Sequence, residues 1–144
     1  MHSLKFGAAL ATLLFASGVY ADVPDTESDF IKFFQERGDR VTTNDEGQAI
    51  KLFSGGKPNL PVAELQSIGR LSHLEELALN AAPAGDEDWG FLKELENLKK
   101  LTIWHGHAFT TLEPFCGLPV ESILFGGCMG LRNLNRETPD KQRD

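Results

Sequence analysis

An apolar frame of three residues recurs along the middle of the chain. Leu74, Leu77 and Leu79 fill it in LEELALN, Leu98, Leu101 and Ile103 in LKKLTIW, and Val120, Ile123 and Phe125 in VESILFG. Its central residue advances from 77 to 101 to 123, and Ile50-Lys51-Leu52 fits a further copy 27 residues before Leu77. The last two apolar positions of each frame stand two residues apart, the period of a strand with one buried face. Each frame therefore predicts a short strand. A lone copy has an apolar edge and no core, so the copies hold together only when stacked side by side. In a parallel stack Leu77, Leu101 and Ile123 form one interior row, and Leu79, Ile103 and Phe125 the next. The connecting stretches 61–71, 86–95 and 111–118 start near Pro61, Asp86 or Thr111. They carry apolar residues three or four apart, such as Leu92 and Leu95, and predict helical or 3₁₀ turns.

The segment before the frames has a different rhythm. In TESDFIKFFQER, Thr26 and Asp29 have capping-box spacing, Phe30, Phe33 and Phe34 make one helical face, and Gly38 is a stop signal. Val41-Thr42-Thr43 and residues 48–53 flank the turn formers Asn44-Asp45-Glu46-Gly47, which predicts a hairpin. Residues 22–58 thus read as an N-terminal helix and hairpin cap, and 59–135 as the repeats. Residues 136–144 are charged, contain Pro139 and lack apolar side chains, so they read as a disordered tail.

Residues 1–21 read as a signal peptide. Lys5 and the amino terminus give a positive start, a 14-residue apolar run spans Phe6 to Val19, and Ala21 precedes the polar Asp22. A membrane span needs about 20 apolar residues. Cleavage after Ala21 would place the protein in a secreted or periplasmic setting. It would leave 13 basic against 21 acidic residues, a net charge of −8 compared with −7 for the whole chain. That balance repels phosphate backbones and anionic lipid, which argues against nucleic acid or membrane as partner. Cys116 and Cys128 would meet an oxidising compartment. Either they close a small loop, stabilising by on the order of 3 kcal/mol, or they remain two small unpaired hydrophobes.

The stretches LSHLEELALN, FLKELENLKKLTIWHG and LEPFCGLPVESILFGGC make residues 70–131 resemble bacterial leucine-rich-repeat proteins. The resemblance implies an α/β fold: a short leucine-rich-repeat solenoid with a small parallel sheet and an N-terminal helix-hairpin cap. Cys128 falls where that family places an Asn or Cys bonded to the turn backbone, which argues against a bridge to Cys116. Gly55, Ala82 and Gly106 stand there in the other copies, so most of the usual side-chain ladder is missing.

In such proteins the outward strand positions line the binding face. Carried over, the frame assigns Lys51, Phe53 and Ser54; Ala78, Asn80 and Ala81; Thr102, Trp104 and His105; and Leu124, Gly126 and Gly127. The candidate contacts are Lys51, Phe53, Asn80, Thr102, Trp104, His105 and Leu124, with Trp104 and Phe53 expected in one row amid small residues. Exposed aromatics in that setting suit a binding hot spot. Alternatively the aromatics cover each other, or the terminal segments fold over them. His105 and His107 could share a metal with Asp86, Glu87 or Asp88, but nothing fixes a third ligand, so no metal is assigned. The acidic run 86–88 reads instead as a helix start.

The chain contains no nucleophile elbow, phosphate loop or zinc-protease motif. The sequence therefore points to a non-enzymatic exported module without cofactors that recognises a protein or peptide on its strand face. The alternative is a periplasmic inhibitor or immunity-type protein whose acidity suits a basic toxic enzyme.

Overall fold

The computed structural model describes residues 26–55, 60–81 and 83–131. The expected leader (1–21) and tail (136–144) lie outside the described residues. Helix α1 (Glu27–Glu36) starts as its cap signals predict. Thr26 Oγ1 accepts from the Asp29 amide at 3.2 Å and donates to Asp29 Oδ2 at 2.7 Å. Phe30 and Phe34 bury its inner face, and the chain leaves the helix through Gly38 at φ 87°.

Strands β1 (Arg40–Thr43) and β2 (Ala49–Ser54) form the expected antiparallel hairpin. Asn44 Oδ1 organises its turn by accepting from the amides of Glu46 and Gln48. The hairpin is fastened to α1 where the Ala49 amide donates to Glu27 Oε1 at 2.8 Å. Arg37 adds ion pairs to the buried Asp39 at 3.1 Å and to Glu64 at 3.4 Å.

Beyond the hairpin, β3 (Glu76–Asn80), β4 (Lys100–Trp104) and β5 (Ser122–Gly126) run parallel to β2, giving a five-stranded sheet of order β1-β2-β3-β4-β5. The fold is thus α/β, with a small, mostly parallel sheet and an N-terminal helix. Parallel neighbours need crossovers. Here these are helix α2 (Val62–Ser67) with a 3₁₀ turn at Ile68–Arg70, and 3₁₀ turns at Gly90–Glu94 and Glu113–Phe115.

The strand registers align Leu77 with Leu101 and Ile123, and Leu79 with Ile103 and Phe125. Leu77, Leu79, Leu101 and Ile103 are at most 1% exposed, so each contributes about 2 kcal/mol by burial. Ile123 and Phe125 are only half-buried, because no further strand of the described chain follows β5. Behind the last strands Trp89, Phe91, Phe109, Phe115 and Phe125 form an aromatic cluster with centroid separations of 5.1–6.2 Å.

Two expectations need correction. Leu52, not Ile50, sits opposite Leu77, and Ser54 sits opposite Leu79. Apolar matching chose Ile50 and Leu52 because the polar Ser54 breaks the frame, yet its small side chain fits the interior at 6% exposure. The slip is two residues, so the faces are unchanged. Residues 86–88 do not start a helix, since the 3₁₀ turn begins at Gly90. Asp86 instead reaches the next crossover, accepting from the Thr110 amide (2.7 Å), Thr110 Oγ1 (2.8 Å) and the Thr111 amide (3.2 Å). These bonds hold its carboxyl below the usual value, the Thr110 amide first. Among the described residues no helix is long and apolar enough to cross a membrane.

Candidate binding face

Because strand side chains alternate, the residues between the buried rows share the opposite face of the sheet. Three rows cross it. The first runs Thr42, Lys51, Glu76, Lys100 and Ser122; the second runs Arg40, Phe53, Ala78, Thr102 and Leu124; the third runs Asn80, Trp104 and Gly126. Six of the seven residues singled out from the sequence lie in these rows: Lys51, Phe53, Asn80, Thr102, Trp104 and Leu124. His105 follows β4 at φ 53°, exposed, its amide donating to the Gly126 carbonyl at 2.8 Å, so it sits past the end of the strand. Ser54 and Ala81, placed on the face by the frame, are buried at 6% and 2% exposure. Ser54 turns inward because it has the parity of Leu52 along β2, opposite Leu79.

Phe53 and Trp104 are not in one row as the frame implied; they stand one row apart on strands that flank β3. Their rings nevertheless meet edge-on, with centroids 5.4 Å apart and planes at 62°. The contact is possible because the intervening Ala78 carries only a methyl. Small residues also seat the indole at its two ends. A Cβ on Gly126 would lie 2.7 Å from Trp104 Cδ1, and one on Gly55 would lie 3.1 Å from the Phe53 ring and 3.8 Å from Trp104 Cζ3. The aromatics therefore partly cover one another, and Phe53 still keeps 37% of its surface and Leu124 60%. Beside them Asn80 Oδ1 is shut off from water and, among the described residues, has no hydrogen-bond donor, a state that costs about 1–3 kcal/mol.

Next to the aromatic pair the face sinks into a depression of about 310 Å3, lined in part by Arg40, Lys51, Phe53, Glu76, Lys100 and Thr102. Arg40 stacks its guanidinium 4.6 Å from the Phe53 ring centre. Glu76 Oε1 receives Lys51 Nζ at 3.1 Å and Lys100 Nζ at 3.6 Å. The Lys51 hydrogen bond, with a further contribution from Lys100, holds the Glu76 carboxyl below its ordinary range. Three cations thus face one carboxylate, and among the described residues no carboxylate lies within 4.0 Å of Arg40. The overall charge of −7 hides this local excess of positive charge.

Sequence reasoning missed Arg40, Glu76 and Lys100. Extending strand alternation one step earlier would have found Glu76 and Lys100. Arg40 enters through the hairpin register, which shifts at Thr42/Thr43 and leaves no mark in the apolar frame.

The cysteines are free, Cys116 exposed and Cys128 half-buried. The Cys128 thiol donates to the carbonyls of Ile103 at 3.6 Å and Gly126 at 3.7 Å, tying down the chain after β5. The rings of His105 and His107 lie 6.2 Å apart. Among the described residues no three His, Cys, Asp or Glu gather where they could hold a metal ion. Comparison of the chain with protein-family models, curated proteins and solved structures gives no match.

Proposed function

We propose that this chain is an exported leucine-rich-repeat binding module that recognises a protein or peptide on the open face of its sheet. The repeat assignment is supported by hydrogen bonds that recur 24 residues apart. The Leu71 amide donates to Ile68 and the Leu74 amide to Leu71; in the following segment Leu95 donates to Leu92 and Leu98 to Leu95. A lateral ladder also passes from Ile50 to Glu75, Lys99 and Glu121, each amide–carbonyl pair at 2.8 Å. Export is supported by the leader-like composition of residues 1–21.

The observation that carries the binding assignment is the Phe53–Trp104 pair, held on an open sheet face between glycine seats and next to a concavity. Large rigid aromatics lose little conformational entropy when they are covered, and they concentrate binding energy. The test is affinity capture from the native extract with residues 22–144, comparing wild type with Trp104→Ala and Trp104→Phe. A stoichiometric partner retained by wild type and Trp104→Phe and lost from folded Trp104→Ala is the expected result. Equal retention by all three refutes the assignment.

A further inference from the structure

The sign of the charge on the face narrows the class of partner, given the strand-face reading above on which this inference rests. The chain carries −7 overall, yet Arg40, Lys51 and Lys100 converge on one depression where, among the described residues that line it, Glu76 is the one acid. Lys51 and Lys100 share that single carboxylate from opposite sides, and Arg40 leans on an aromatic ring instead of an acid. A concave surface lined by one sign of charge focuses its field on a ligand of the opposite sign. The second row, one step further along the strands, supplies Phe53 and Leu124, and the third supplies Trp104. Rows two residues apart on a strand are separated by ~6.6 Å, which is also the spacing of alternate side chains in an extended peptide.

We propose that the depression takes the acidic side chains of an extended peptide segment, with an apolar side chain of the same segment lying on the Phe53–Trp104 pair. Charge complementarity selects this occupant over two others. Residues 132–144 of the chain itself hold four basic and three acidic residues, so they are not an acidic segment. A flat anionic membrane would bring the whole acidic molecule into a repelling field, whereas a single peptide segment meets only the cationic depression. A basic target enzyme, suggested by the overall charge, would meet the wrong sign here.

The test is selection of phage-displayed random 12-residue peptides on the immobilised protein, followed by binding of the enriched peptides in solution. Enrichment of Asp and Glu together with a large apolar residue is expected. Affinity should fall at least tenfold in Arg40→Gln, Lys51→Ala and Lys100→Ala combined, and should also fall as salt is raised from 0.05 to 0.5 M. All three side chains are exposed, and circular dichroism checks that the variant is folded. Neutral or basic peptides whose binding is lost in Trp104→Ala overturn the acidic specificity while leaving the strand face in place. Peptides indifferent to both Trp104→Ala and the charge variant overturn the strand face as well. Absence of any enrichment overturns the proposal. So does competition by a synthetic 132–144 peptide at equal strength, or sedimentation of the protein with vesicles containing phosphatidylserine.

Discussion

Alternation along β4 makes Leu101 and Trp104 opposites, and replacing each by alanine separates folding from recognition. Leu101 is 1% exposed and lies between Leu77 and Ile123 in the interior row. Truncation leaves a cavity bounded by strands fixed in register on both sides, so the site cannot collapse freely, and a loss of about 3 kcal/mol is expected. In a domain of this size each kcal/mol moves the melting midpoint by about 4–8 °C, which predicts a fall on the order of 15 °C. Trp104 is half-buried, and its truncation removes that partial burial and the edge contact with Phe53, together about 2 kcal/mol and therefore about 10 °C. Trp89, 1% exposed within the aromatic cluster, remains in both variants and reports unfolding by its fluorescence. A Trp104→Ala protein that melts below Leu101→Ala would reverse the faces and remove the basis for the binding assignment.

Three further outcomes are expected. Gly126→Ala should push the indole off its seat, since the new Cβ would approach Trp104 Cδ1 to 2.7 Å; Trp104 is only half-buried, so stability should change by less than about 1 kcal/mol while Trp104 emission shifts and partner affinity drops. Asp86 has a folded-state carboxyl held below its ordinary 3.8, so its contribution is present above that pH and lost as pH falls through the depressed folded value. Acid unfolding curves should therefore be flatter at the low-pH end for Asp86→Asn than for wild type, and superimposable curves would contradict the bonds to Thr110 and Thr111. Intact-protein mass spectrometry without reductant should find both thiols free, with Cys116 reacting first with a soluble thiol reagent and Cys128 slower; a mass lower by two hydrogens would contradict this.

The spacing of apolar residues by itself determines a good deal of this protein. Strands at 76–80, 100–104 and 122–126, the capped Phe-rich helix and the hairpin all follow from local periodicity and turn chemistry, which act within a few residues. Alternation alone put Trp104, Thr102 and Leu124 opposite the buried rows. The pairing of distant segments decided the rest. Alternation points Ser54 inward with Leu52, but that it stands opposite Leu79 is set by the pairing of the two strands, which no local signal marks. Asp86 could be recognised as a tether only once Thr110, 24 residues on, lay beside it. Arg40, Lys51, Glu76 and Lys100 come from four separate strands, and their summed charge exists only when lateral hydrogen bonding sets them side by side. Periodicity specifies which way a side chain points, whereas its neighbours depend on register between segments, a quantity fixed by packing over the whole sheet.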